Sequence, residues 1–154
     1  IGAIVEGMRQ TRWLEMFYHG SSGCEGAPGK TVMQMPANYY CKWLLAPIQK
    51  LPGVKNYFDS EAILADAATE GLNFVIFRPA FLTTKPAARQ HGHSFDTTGY
   101  DNADLPLADT KMSISREDVA EEILCVATLN DETRANWFGH GVYLADFKDG
   151  AARR

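Results

Sequence analysis

Residues able to act on a small molecule gather in four places. His19-Gly20-Ser21-Ser22 closes an aromatic-rich run and sets an imidazole and two hydroxyls beside a glycine. Tyr57 and Glu61 stand one helical turn apart. Arg78-Pro79-Ala80-Phe81-Leu82 follows a short apolar run, and His91-Gly92-His93 places two imidazoles at a spacing that chelates a metal from a strand. His19 has the pKa of a proton donor at neutral pH, but its setting reads as a satisfied, partly buried histidine. No third ligand stands near His91 and His93, so that stretch reads as a mobile loop rather than a metal site. A carboxylate at Glu61 raises the pKa of a neighbouring phenol, the opposite of what a lysine there does. Lys42 and Lys55 fall at other spacings and read as solvated. Gly20, Gly23, Gly26 and Gly29 recur every three residues. No apolar helix follows them and Pro28 interrupts them, which argues against a phosphate-binding loop.

The elements that must position these groups follow from periodicity. Residues 1–10 place Ile1, Ile4, Val5 and Met8 at helical spacing, and residues 12–19 are dense in aromatic and large apolar types, as in a buried strand. Gly20 to Gly23 carry turn chemistry, and 24–36 read as a surface loop. Residues 37–48 read as a short helix interrupted by Pro47, and 50–55 as a turn around Pro52-Gly53. A helix is expected over 56–70, capped near Asn56 or Asp59, with Phe58, Ala62, Ile63, Ala65 and Ala67 on or near its buried side. Gly71 ends it. Residues 73–77 form a short buried strand that must stop near Arg78, because Pro79 has no N–H for a central ladder. The chain thus leaves the sheet at a strand's carboxyl end, where open α/β sheets bind ligands. Residues 86–110 show little periodicity and 111–114 read as a short strand. Ser115 is a good N-cap for a helix to about Leu129, with Glu117 and Asp118 in its first turn and Val119, Ile123, Val126 and Ala127 inward. Asp118 reads as a capping residue and Arg116 as structural. A last strand covers 142–147 and a frayed tail 148–154. This alternation argues for an α/β fold with a mostly parallel sheet.

A chain of 154 residues is one domain's worth. Its 45% hydrophobic and 22% charged residues are ordinary for a globular protein. A net charge of −4 gives no electrostatic reason to expect nucleic acid as a partner. No run approaches the roughly eighteen apolar residues of a membrane span. Cys24, Cys41 and Cys125 are odd in number and widely spaced, suggesting neither a disulfide framework nor a zinc site, and a cytoplasmic setting is the default expectation. The chain opens on Ile1 and enters a helix directly, which suggests a fragment, a processed product or a trimmed chain.

Two segments carry a family resemblance. A helix bearing an acid, then Gly71-Leu72, an apolar strand and Arg78-Pro79-Ala80-Phe81-Leu82 resembles the sixth strand of the atypical short-chain dehydrogenase/reductases. More narrowly, it is similar to the NAD(P)H-binding group of NmrA-like proteins and flavin reductases of the biliverdin reductase B type. Downstream, Ile114-Ser115-Arg116-Glu117-Asp118-Val119-Ala120 resembles the family's second recurrent segment. The resemblance spans about residues 2–147.

It implies a partial doubly wound, Rossmann-like domain, the C-terminal half without the N-terminal glycine-rich βαβ part. It implies NAD(P)H as cofactor, NADPH favoured, held jointly with that missing half, and a small acceptor such as a flavin or quinone reduced by hydride transfer. By the same resemblance Ser21 and Ser22 face the nicotinamide, where a serine can hydrogen-bond the reacting substrate. Gly20 and Ser21 with Arg78, Pro79, Ala80, Phe81 and Leu82 form the cofactor side, Phe81 or Leu82 giving a pocket wall and Arg78 anchoring the loop. Tyr57 lines the pocket; Glu61 departs from the Tyr-x-x-x-Lys pattern of ordinary short-chain dehydrogenases. The alternatives are an NmrA-like dinucleotide-sensing module without turnover, or a partial chain inactive alone. In the complete family sheet the first strands pair with the strand at 12–19, so without them its edge is expected to favour self-association.

Overall fold

A computed structural model describes residues 1–11, 15–20, 52–95, 102–106 and 108–149, without the side chains of 53, 54 and 58. The loop expected at 24–36 and the helix expected at 37–48 lie outside the described residues, as do Ser21 and Ser22. The element order is α1 (Gly2–Thr11), β1 (Glu15–His19), α2 (Pro52–Ala68), β2 (Asn73–Pro79), β3 (Phe81–Thr83), β4 (His91–Ser94), β5 (Thr110–Lys111), β6 (Ser113–Ser115), α3 (Arg116–Ala127), α4 (Asp131–Ala135) and β7 (His140–Phe147).

The main sheet runs β1-β2-β7-β4, with β5 also on β7. β1 and β2 are adjacent and parallel, from Glu15 opposite Asn73 to His19 opposite Phe77, the arrangement expected of strands joined by a helical crossover. β7 is parallel to β2 on its other side, while β4 and β5 pair antiparallel with β7. The fold is therefore α/β with a mostly parallel mixed sheet. A second, two-stranded parallel sheet joins β3 to β6.

The near-continuous apolar run of β2 has the physical reason that parallel strands are covered on both faces. Phe74 and Ile76 pack with Val5 of α1 and Leu64 and Ala67 of α2. Val75 and Phe77 of β2, with Val142 and Leu144 of β7, pack on Ile114 and on Val119 and Val126 of α3. Gly71 ends α2 at φ 90°, and the bonds Leu72 N–H to Ala67 O and Gly71 N–H to Ala68 O form a Schellman motif. No described helix is long and apolar enough to cross a membrane.

Several boundaries differ from expectation. α2 begins at Pro52, so Pro52-Gly53 is a helix start rather than a turn, since proline at the first helical position forfeits only an N–H that has no intrahelical partner. Asn56 and Asp59 consequently lie inside the helix, where Asp59 pairs with Lys55 at 2.5 Å. Glu61, Leu64 and Ala67 form the buried stripe, whereas Ala65 is exposed, and so is Ile4 of α1. The stretch read as irregular contains β4. Its Gly92 lies so close to the Phe147 ring that a Cβ there would stand 2.6 Å from it. The strand expected at 111–114 is two short ones, β5 and β6, belonging to different sheets.

Candidate functional site

The described part of the candidate site lies where β1 and β2 end side by side. Gly20 continues the ladder past β1, its N–H bonding Phe77 O at 2.8 Å. Here glycine is required by a close approach. A Cβ would meet Ile76 Cγ2 at 2.9 Å and Glu61 Oε1 at 3.0 Å. Pro79 is the last residue of β2, opposite Leu144, and Ala80 N–H then bonds Leu144 O at 2.9 Å. Phe81 N–H bonds Met112 O at 3.3 Å, and the chain passes into the small β3–β6 sheet. That transfer buries Ala80, half-buries Leu82 and leaves Phe81 64% exposed beside the sheet's end.

Beneath these ends lies a buried ion pair. Arg78 Nη2 meets Glu61 Oε2 at 2.7 Å and its Nε meets Oε1 at 3.2 Å, a two-pronged contact that suits guanidinium and carboxylate. Glu61 is 2% exposed. The guanidinium also stands 5.4 Å from the Tyr143 ring centroid. Arg78 is thus a residue that anchors the end of β2. Tyr57, half-buried one turn before Glu61, stands on the same helix, but Glu61 is committed to Arg78. His19 is half-buried at the end of β1, and burial holds its pKa below the ordinary value against a backbone hydrogen bond that favours the cation.

A second polar cluster occupies the other edge of the sheet. β4 presents His91 and His93 to α3: His91 Nε2 stands 3.2 Å from Glu122 Oε2, and His93 Nδ1 stands 3.0 Å from Glu122 Oε1. These histidines belong to a strand with a defined partner rather than to a mobile loop. Asp118 accepts the N–H groups of Ala88 and Arg89 at 2.9 Å each and the Ser115 hydroxyl at 2.7 Å. Ser115 returns the favour as N-cap, accepting Asp118 N–H at 2.9 Å. Burial pushes the Asp118 carboxyl up, but these three donors and His91 outweigh it and leave the pKa lowered. Among the described residues no group of three or more His, Cys, Asp or Glu is arranged to hold a metal ion.

Sequence reasoning placed Gly20, Tyr57 and Arg78–Leu82 near one another, and the structure gathers Gly20, Arg78, Pro79 and Ala80 around the same sheet end. It missed the partner of Arg78. The available signal was the spacing Glu61, Leu64, Ala67, Ala68, which puts a carboxylate on a buried stripe. It also missed Glu122, one turn beyond Asp118 on the same face of α3.

No family model matches this chain, and no curated protein does. Solved structures do. A wide-type short-chain dehydrogenase/reductase from Veillonella parvula in complex with NADP is 19% identical, with TM-score 0.62 over 97% of this chain and 57% of that one. The ethylated form of a short-chain dehydrogenase/reductase from the same organism is also 19% identical, with TM-score 0.61 over 94% of this chain and 56% of that one. A Bacillus halodurans protein provisionally assigned as an NAD-dependent epimerase/dehydratase is 14% identical, with TM-score 0.56 over 94% and 52%. At these identities the likeness is one of fold: the chain is similar to Rossmann-type dehydrogenases and spans little more than half their length.

Proposed function

We propose that these residues form the nicotinamide side of an NAD(P)H-dependent reductase of the atypical short-chain dehydrogenase/reductase kind, acting on a flavin, quinone or similar acceptor. The observation that carries the reading is that two adjacent parallel strands end within two residues of each other, β1 at His19 opposite Phe77 and β2 at Pro79, with Gly20 bonded to Phe77 and the chain leaving β2 through Pro79-Ala80. Crevices at such carboxyl ends are where doubly wound sheets take dinucleotides. A structural neighbour binds NADP. Of the residues present, exposed Phe81 offers an apolar surface where the chain leaves β2, while the room Gly20 leaves is taken by Ile76 and Glu61. When bound, the dinucleotide supplies the hydride. In this reading the protein's own residues orient cofactor and acceptor and exclude water. Ser21 and Ser22 donate hydrogen bonds to the acceptor, and Tyr57 lines the pocket. Glu61, tied to Arg78, stands one turn after Tyr57 where a lysine would assist its phenol, so this reading makes no use of a Tyr57–lysine pair and favours acceptors that need little protonation by a side chain.

The departure of Glu61 from a Tyr-x-x-x-Lys pattern also suits a dinucleotide-sensing module without turnover. NADPH oxidation by the natural polypeptide carrying these residues, with flavin mononucleotide or a quinone as acceptor, separates the two. Acceptor-dependent oxidation supports the reductase reading. NADPH binding without oxidation supports sensing, and absence of binding overturns both.

A further inference from the structure

We propose that His91, His93 and Glu122 form a proton-operated latch that fastens the edge strand β4 to helix α3. The latch concerns the far edge of the sheet and does not rest on the function proposed above. β4 is four residues, His91-Gly92-His93-Ser94, with no large apolar side chain of its own to anchor it to the helix layer. Its hold on α3 is polar, one carboxylate receiving two imidazoles, at 3.2 Å from His91 and 3.0 Å from His93.

The charges around His91 make that hold depend on a proton. Glu122 faces Nε2, and Asp118 Oδ1 lies 3.5 Å from Nδ1, too far for a good hydrogen bond but close enough for strong attraction. Nδ1 is buried with no hydrogen-bond partner. Asp146 of β7 sits directly across the ladder from His91, with a buried Oδ1 that also has no hydrogen-bond partner. Of the nearby cations, Lys111 of β5 pairs with Asp149 at 2.8 Å and Arg89 reaches Glu121 of α3 at 3.5 Å. His93 packs on the Trp137 ring at 4.8 Å and on Phe95 at 5.5 Å. A neutral imidazole has one N–H, so it satisfies one flanking carboxylate and turns a lone pair on the other. Only the cation serves both. In keeping with this, the hydrogen bond to Glu122 raises the His91 pKa, opposed by burial and reinforced by the charges of Glu122 and Asp118.

The sign follows from linkage. A histidine whose folded pKa is raised contributes its stabilisation in full below the unfolded value, and loses it as pH rises through the folded value. The latch is therefore closed in mild acid and loosens towards alkaline pH, leaving the ladder to β7 as the remaining hold on β4, so that the strand opens to solvent more readily.

Hydrogen exchange of the β4 amides, expressed as protection factors from mildly acid to mildly alkaline pH, tests this. Protection is expected to fall across the rise by about tenfold for each unit by which the folded His91 pKa exceeds that of free imidazole. His91→Gln is expected to lower protection in mild acid to the level the unaltered protein shows at alkaline pH, and so to abolish the step. A β4 protection that shows no step, or a step that survives in His91→Gln, overturns the latch. Should the variant not fold, the imidazole resonances of the unaltered protein decide alone: a His91 pKa at or below the free value overturns the proposal, and a raised one supports it.

Discussion

Arg78 and Glu61 clasp one another at 2.7 Å beneath the adjoining ends of β1 and β2, seventeen residues apart in sequence and both shielded from water. The pair joins α2 to the strand it has just fed, and Gly20 and Gly141 are the small residues that leave room for it. A buried pair of this kind adds little net stability over apolar packing, but it penalises loss of either partner heavily. Its role is to fix where β2 ends.

Removing one partner should therefore cost far more than removing both. Glu61→Leu or Arg78→Met alone is expected to destabilise the fold by about 3 kcal/mol, and the two together by clearly less than either single change. Urea unfolding midpoints measure this. Additive costs would show that the two side chains are not energetically coupled.

Gly141 gives an independent check on the same clasp. A Cβ at this position would overlap the guanidinium of Arg78. That group is pinned by Glu61 and cannot simply swing aside. Gly141→Ala is expected to cost about 2 kcal/mol in the unaltered background and close to nothing alongside Arg78→Met. Thermal melts of the single and double variants read the difference.

Much of this framework was legible in the sequence, for physical reasons that also explain the rest. Strand β2, the stop at Gly71 and the Ser115 cap depend on local chemistry, and each stands where its residues indicated. The parallel pairing of β1 with β2 followed from the crossover rule. Pro52 was misread because Pro-Gly also signals a turn, and only the buried stripe beyond it selects a helix start. β4 was missed because its sequence lacks apolar alternation. Its strand character comes from pairing with β7 and from Glu122, both non-local. The same holds for Glu61, whose role appears only once Arg78 is brought above it.

Asp118 should behave as the staple of segment 86–89. It accepts two backbone N–H groups from that segment and a hydroxyl from Ser115 while fully buried. Asp118→Ala is expected to cost about 2–4 kcal/mol and to open the chain near Arg89 to trypsin. Unchanged cleavage at Arg89 would show that the segment is held by something else.

Acid stability should depend on Glu122. Burial pushes its carboxyl up, but the hydrogen bonds and charges of His91 and His93 outweigh this and bring the pKa from 4.5 down to about 2. A depressed carboxylate stabilises the fold above its unfolded pKa and loses that contribution as pH falls through the folded one. Glu122→Gln should thus flatten the stability profile between about 4.5 and about 2, removing a contribution on the order of 2 kcal/mol. Denaturant midpoints across that acid range check this, and an unaltered slope in the variant would count against the assigned contacts.

The last prediction concerns how much of a dinucleotide these residues hold by themselves. In the function proposed above, residues from Gly20 and Pro79 to Phe81 flank the nicotinamide, but a pyrophosphate needs backbone N–H groups at a helix start behind a glycine-rich turn. Among the described helices, α3 opens with Glu117 and Asp118 behind the Ser115 cap, and α4 opens with Asp131 and Glu132 behind Asn130. Carboxylates at both starts repel phosphate and use the same dipole a phosphate would. α1 and α2 carry no acid in their first turns and α2 forfeits one donor at Pro52, but among the described residues no glycine-rich turn leads from a strand into a helix. NADPH should therefore bind the 154-residue chain weakly, and reduced nicotinamide mononucleotide within about tenfold of it, since the second phosphate and adenosine gain little. Calorimetric titration of both ligands measures the ratio. A micromolar Kd for NADPH, with the mononucleotide far weaker, would mean that this chain builds a phosphate cradle of its own, and the division of the site argued here would fall.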